Sequence, residues 1–149
     1  MQLRQLSLVI RLAGEQREEA SQRLGTGKQQ WQAATQQLEQ LQSYQAQYIG
    51  QAQQASQQGI PVQALAEGRR FIAELEGLIA TQQQSVNQQS ANLQALTEQW
   101  IEATRYLNAV NRLKDKRVAE QQWSLERREQ QLVDDLYSVQ QKMQAARES

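Results

Sequence analysis

Cysteine and histidine are both missing from the 149 residues of this chain. Without cysteine there is no disulfide framework, no thiolate nucleophile and no thiol redox centre, which fits a reducing compartment. Without histidine the commonest zinc ligand and the usual general base are gone as well. Proline and phenylalanine occur once each, aromatics make up 5% of the chain, and the mean hydropathy is -0.79. Large apolar side chains are therefore too scarce to fill a globular core. No run approaches the ~20 apolar residues that a membrane-spanning helix needs. The opening MQLRQLSLVIRLAG has the outline of a signal peptide, but Arg11 interrupts its apolar centre. It reads instead as the start of a helix with a broad apolar face. Charge of one sign is also lacking: 16 basic and 16 acidic residues leave a formal net charge of 0. Nucleic-acid binding needs a concentrated cationic surface, so it is not expected here.

Glutamine, by contrast, supplies about a fifth of the chain, far above ordinary usage. With Ala, Leu, Glu, Lys and Arg it makes a composition suited to long helices. Steps of three and four residues from Leu3 pick out Leu6, Ile10, Ala13, Ala20, Leu24, Trp31, Ala34, Leu38, Leu41, Tyr48, Ala52 and Ala55. Only Arg17, Gly27 and Gln45 break this seam. An unbroken heptad phase of that length predicts a coiled coil. It stops at SQQGIPVQ, where Gly59 suits a helix end and Pro61 the first turn of a second helix.

A second seam follows through Leu65, Ile72, Leu75, Ile79, Val86, Leu93, Leu96, Trp100, Ala103, Leu107 and Val110. A short turn between two long helices implies an antiparallel hairpin. Facing residues then have numbers summing to roughly 120, which sets Ala20 against Trp100, Ala13 against Leu107 and Ile10 against Val110. Large meets small, or medium meets medium, along that register, as interdigitated packing requires. Each arm would run ~80 Å at 1.5 Å per residue. The expected fold is all-α: a long antiparallel two-helix coiled-coil hairpin, one domain over residues 1–149. Helix one covers about 2–57, the turn about 58–62 and helix two about 63–146.

The arms are unequal. Leu3 faces Arg117, so helix one ends while some thirty residues of helix two remain. Lys114 and Arg117 then occupy seam positions, and a shifted stripe appears as Val118, Leu125, Leu132, Leu136, Val139 and Met143. A change of phase marks a change of winding or of partner. The overhanging second helix is amphipathic and needs a cover from elsewhere.

Candidate chemistry is thin. LGTGKQQW (24–31) suggests a phosphate loop, but the earlier glycine position is Gln22 and the magnesium-binding position is Gln29. A flexible or kinked point in helix one is the better reading. Glu18 with Glu19, and Asp134 with Asp135, are sequence neighbours that point ~100° apart on a helix. Neither pair converges on a metal or substrate, and no cofactor, metal or small-molecule substrate is expected. The charges Lys114, Asp115, Lys116, Arg117 and Glu126 to Glu129 are either solvated ion pairs of small value or a rim that steers a partner. Leu8, Val9 and Leu12 lie off the seam and widen the apolar face beyond what one helix covers, which favours a contact site. Membrane-surface binding would need a cationic excess that the chain lacks. Near the tip, Tyr44 and Tyr48 from helix one come level with Phe71 and Leu75 from helix two. Tyr48 and Leu75 suit the core; Tyr44 and Phe71 flank it, half exposed, as aromatic binding anchors do.

The chain resembles the FliJ family, small coiled-coil proteins of the bacterial flagellar export apparatus. The likeness is carried by QLEQLQSYQAQYIGQ (37–51), GIPVQALAEGRRFIAELEGLI (59–79), Trp100 and LERREQQLVDDL (125–136). The glutamine excess, Gly25 and Gly27, and Ala66-Glu67-Gly68 in place of a more aromatic stretch depart from it. The resemblance implies a non-enzymatic stalk and adaptor of type III secretion, cytoplasmic and peripheral at the inner membrane's cytoplasmic face. Gln37, Leu41, Tyr44, Tyr48, Phe71 and Leu75 match positions that bind the cytoplasmic domain of the export-gate membrane protein. The terminal end would engage the hexameric export ATPase, with Leu8, Leu12, Lys114, Arg117, Arg127 and Arg128 as candidate contacts. Escort of export chaperones is implied as well. The rival readings are the stalk of a virulence-type secretion system and a self-associating coiled-coil tether.

Overall fold

A computed structural model describes residues 2–148. It is all-α, with helix α1 over Leu3–Gln57 and helix α2 over Val62–Glu148, packed against each other as a hairpin. The ends of α1 follow from local chemistry. The Gln2 carbonyl accepts from the Leu6 amide at 3.0 Å, and the Gln5 side chain accepts from the Gln2 amide at 3.1 Å. That is half of a capping box, with glutamine in its N3 position. At the far end the Gln58 and Gly59 amides donate to the Ala55 and Ser56 carbonyls, and Gly59 turns the chain at φ 81°. Glycine takes that left-handed conformation without the Cβ penalty of other residues. Pro61 then offers its carbonyl to the Leu65 amide and so opens α2.

The chain divides into two packed units, Met1–Gln16 with Thr104–Ser149, and Arg17–Ala103. In the first, Leu6, Ala13 and Val110 form the buried core, and Leu3, Ile10 and Leu107 are half-buried. In the second, Ala20, Ala34, Leu38 and Leu75 are buried, with Leu24, Trp31, Leu93, Leu96 and Trp100 half-buried around them. These are the two heptad rows, and the small alanines alternate with large residues as close packing demands.

Two seam breaks acquire roles in the second unit. Arg17 is exposed and sets its guanidinium over the Trp100 ring, 5.9 Å from the centroid. Its arrangement there combines a cation–π contact with a charge kept in water. Gly27 overturns the expectation of a flexible or kinked point, because α1 continues through it as regular helix. Gly27 is buried, and a Cβ there would lie 2.6 Å from Leu96 Cδ1. The glycine is a notch that admits a leucine.

Gly25, two residues away, has nothing within 4 Å of its would-be Cβ. The two glycines should therefore respond in opposite directions. Gly25→Ala is expected to stabilise by about 0.5–1 kcal/mol, the helix-propensity gain. Gly27→Leu should destabilise by about 1–3 kcal/mol through overpacking. Thermal melting followed by circular dichroism checks both signs. Equal responses would remove the notch.

The second helical seam has gaps at 82 and 89, and the structure fills them with half-buried Gln82 and Gln89. The Gln82 amide Nε2 donates to the Ala34 carbonyl of α1 at 2.9 Å. A satisfied polar group in an apolar seam is tolerated and fixes which residues face each other.

Candidate functional site

In the second unit, Tyr44 and Tyr48 stand one turn apart on α1, and Phe71 reaches both from α2. The Phe71 ring lies 4.6 Å from that of Tyr48, tilted by 54°, and 6.2 Å from that of Tyr44, edge-on at 82°. Edge-to-face and tilted pairs suit the ring quadrupoles and hold all three rings in defined positions. Leu75 is buried and Tyr48 half-buried, so these two form the floor. Tyr44 keeps 51% of its surface exposed, and Phe71 is half-buried.

Leu41 is half-buried and Gln37 exposed on the same row of α1, at successive steps of four, three and four residues through Tyr44 and Tyr48. Such steps put side chains on one face. Leu78 extends the surface, and the sequence reading passed over it. It sits one heptad beyond Phe71 and is 56% exposed. The signal was available as the seven-residue spacing, but seam positions drew attention from a flanking leucine. A cleft lined by Tyr48, Ile49, Ala52, Leu65, Gly68 and Ile72 adjoins this cluster toward the turn. Small Ala52 and Gly68 leave the helices unable to fill the space between them.

The first unit holds the other candidate surface. Leu8 and Leu12 are about half exposed, and Arg117, Arg127 and Arg128 are exposed. Lys114 differs from a free rim charge, being half-buried at a seam position of α2. Leu3 and Arg117 line one cleft with Gln2, Gln5 and Gln121. From residue 119 to 148 every position of α2 is exposed. Leu125, Leu132, Leu136 and Met143 stand in water along one stripe. Trp123, Val133 and Tyr137 are just as exposed. At ~100° per residue they fall on other faces of the helix, Trp123 nearly opposite Leu125. The Trp123 ring is stacked by the Arg127 guanidinium at 4.7 Å, a contact that orients the ring without hiding it. A helix with apolar side chains on several faces offers contact surface in several directions.

LGTGKQQW is helical throughout, so its amides are used within α1 rather than aimed at a phosphate. Among the described residues, no group of three or more acidic side chains could hold a metal ion. No helix among the described residues is long and apolar enough to cross a membrane.

A family profile described as "Flagellar FliJ protein" matches residues 1–147. The chain belongs to the FliJ family. No curated protein and no solved structure gave a match. FliJ membership supports a stalk or adaptor role in flagellar export in general terms. Within this FliJ-family chain the aromatic surface and the uncovered stretch of α2 belong to different packed units.

Proposed function

We propose that the chain works as one stalk and adaptor domain joining two parts of the flagellar export machinery. The first unit, through the uncovered stretch of α2 with Leu8, Leu12, Arg117, Arg127 and Arg128, binds the hexameric export ATPase. Lys114, half-buried, stands behind that surface. The second unit, through Tyr44, Phe71 and Leu78 over a floor of Leu41, Tyr48 and Leu75, with Gln37 at its edge, binds the cytoplasmic domain of the export-gate membrane protein. The complex would assemble in the cytoplasm against the inner membrane, where the adaptor also receives emptied export chaperones.

One observation supports this reading above the others: large apolar side chains stand exposed on several faces of α2 between 119 and 148. A flat surface could cover one face only, whereas a ring encloses all of them. The charges interspersed along the stretch would steer its entry and add little affinity. Bridging is the test. Immobilised gate domain should retain the ATPase only when this chain is present. Mutually exclusive binding of the two partners would sink the adaptor role.

A further inference from the structure

Val118, Leu125, Leu132 and Val139 recur every seven residues on α2, and Leu136 and Met143 complete the alternating steps of three and four. Gln122 and Glu129 take the two remaining places in the row. Leu125, Leu132, Leu136, Val139 and Met143 are all exposed. No glycine or proline interrupts the stretch, so it presents a regular coiled-coil seam, half-buried at Val118 and uncovered from Leu125 onward. We propose that this seam pairs antiparallel with the same seam on a second copy of the chain.

The charges select the partner and its direction. A parallel, in-register pair would place Glu129 against Glu129 inside the seam and Gln122 against Gln122, a like-charge contact where apolar packing is wanted. It would also set Lys142 beside Arg147 of the second copy. An antiparallel pair centred between Gln130 and Gln131 removes both conflicts. Leu125 then packs on Leu136 of the second copy, Val118 on Met143, and Glu129 lies beside Leu132. On one flank Arg128 meets Asp135 of the second copy, and twofold symmetry makes the contact twice. On the other flank Glu126 lies beside Val133 of the second copy, so no like charges meet there either.

Neither Arg128 nor Asp135 has an opposite charge to pair with in its own helix. The residues three and four positions away are Ser124, Leu125, Gln131 and Leu132 for Arg128, and Gln131, Leu132, Ser138 and Val139 for Asp135. Their complementarity is satisfied only between copies. The paired stretch, from Val118 to Met143, would be ~39 Å long at 1.5 Å per residue, between three and four heptads. Two-stranded coiled coils of this length, with two polar residues in the seam, form reversibly. The pairing covers the stripe that the proposed function gives to the ATPase, so the dimer and the ATPase complex are alternative states of the same helix.

Sedimentation velocity of the full chain over a wide concentration range should show a monomer converting to a dimer. R128E and D135R should each weaken the dimer at least tenfold, and the double variant R128E/D135R should recover it. Because the chain has no cysteine, cross-linking reads the direction cleanly. Under mild oxidation a mixture of Leu125→Cys and Leu136→Cys chains should form a disulfide-linked heterodimer, with little product from either alone. A monomer at every concentration would overturn the proposal. So would efficient cross-linking of Leu125→Cys chains to one another, which marks parallel pairing, or a double variant no tighter than the single ones.

Discussion

Alanine at both Tyr44 and Phe71 is expected to lower affinity for the gate's cytoplasmic domain about a hundredfold, equivalent to roughly 3 kcal/mol. Each ring alone could supply ~2 kcal/mol as a binding anchor, but the two touch and their losses will not simply add. Tyr44 is half exposed and carries little of the core, so its loss spares the fold. Phe71 is half-buried and its removal will cost some stability, yet Leu75 and Tyr48 remain to hold the helices together. Helicity at 25 °C should therefore be unchanged while isothermal titration shows the loss. Leu78→Ala is the companion variant: exposed and outside the core, it should weaken gate binding with no shift in melting temperature. ATPase binding by the same variants should be intact. Loss of both partners together would mean the two surfaces are not separate.

Ending the chain after Val118 is expected to abolish binding to the export ATPase and leave the rest of the fold standing. Residues 119–148 are exposed throughout, so their removal takes away no core contact. The melting temperature of the remainder should move by no more than a few degrees, while mean ellipticity falls by the contribution of the deleted helix. The deleted segment would be a marginal helix by itself, because the first turn is costly to nucleate. In the intact chain it grows from α2, which has already met that cost. Gate binding should survive, since none of its residues lies beyond Leu78. Undiminished ATPase affinity in the shortened chain would refute the role given to this stretch.

How much of this could be read from the chain depends on the kind of contact. The heptad rows, the turn at Gly59 and Pro61, and the unpaired end of α2 all stem from local patterning, and each is visible as spacing or as a turn residue. The cluster of Tyr44, Tyr48 and Phe71 was accessible from register arithmetic, because one tight turn leaves little freedom in which residues come level. Gly27 was not. A glycine among good helix formers reads as a weak point, and only Leu96 opposite shows it to be a notch. Gln82 was equally opaque. An amide in a seam reads as an interruption until the Ala34 carbonyl is found within hydrogen-bond reach.

Periodicity alone therefore settles which face of each helix turns inward and how far the inward faces extend. It repeats every seven residues, so several registers satisfy it almost equally well. The choice among them belongs to packing across the helices: the leucine that fits over a glycine, the amide that finds a carbonyl, the phenylalanine that reaches two tyrosines. Shape and hydrogen-bond geometry are not periodic, and that is why they appear only when both helices are in place.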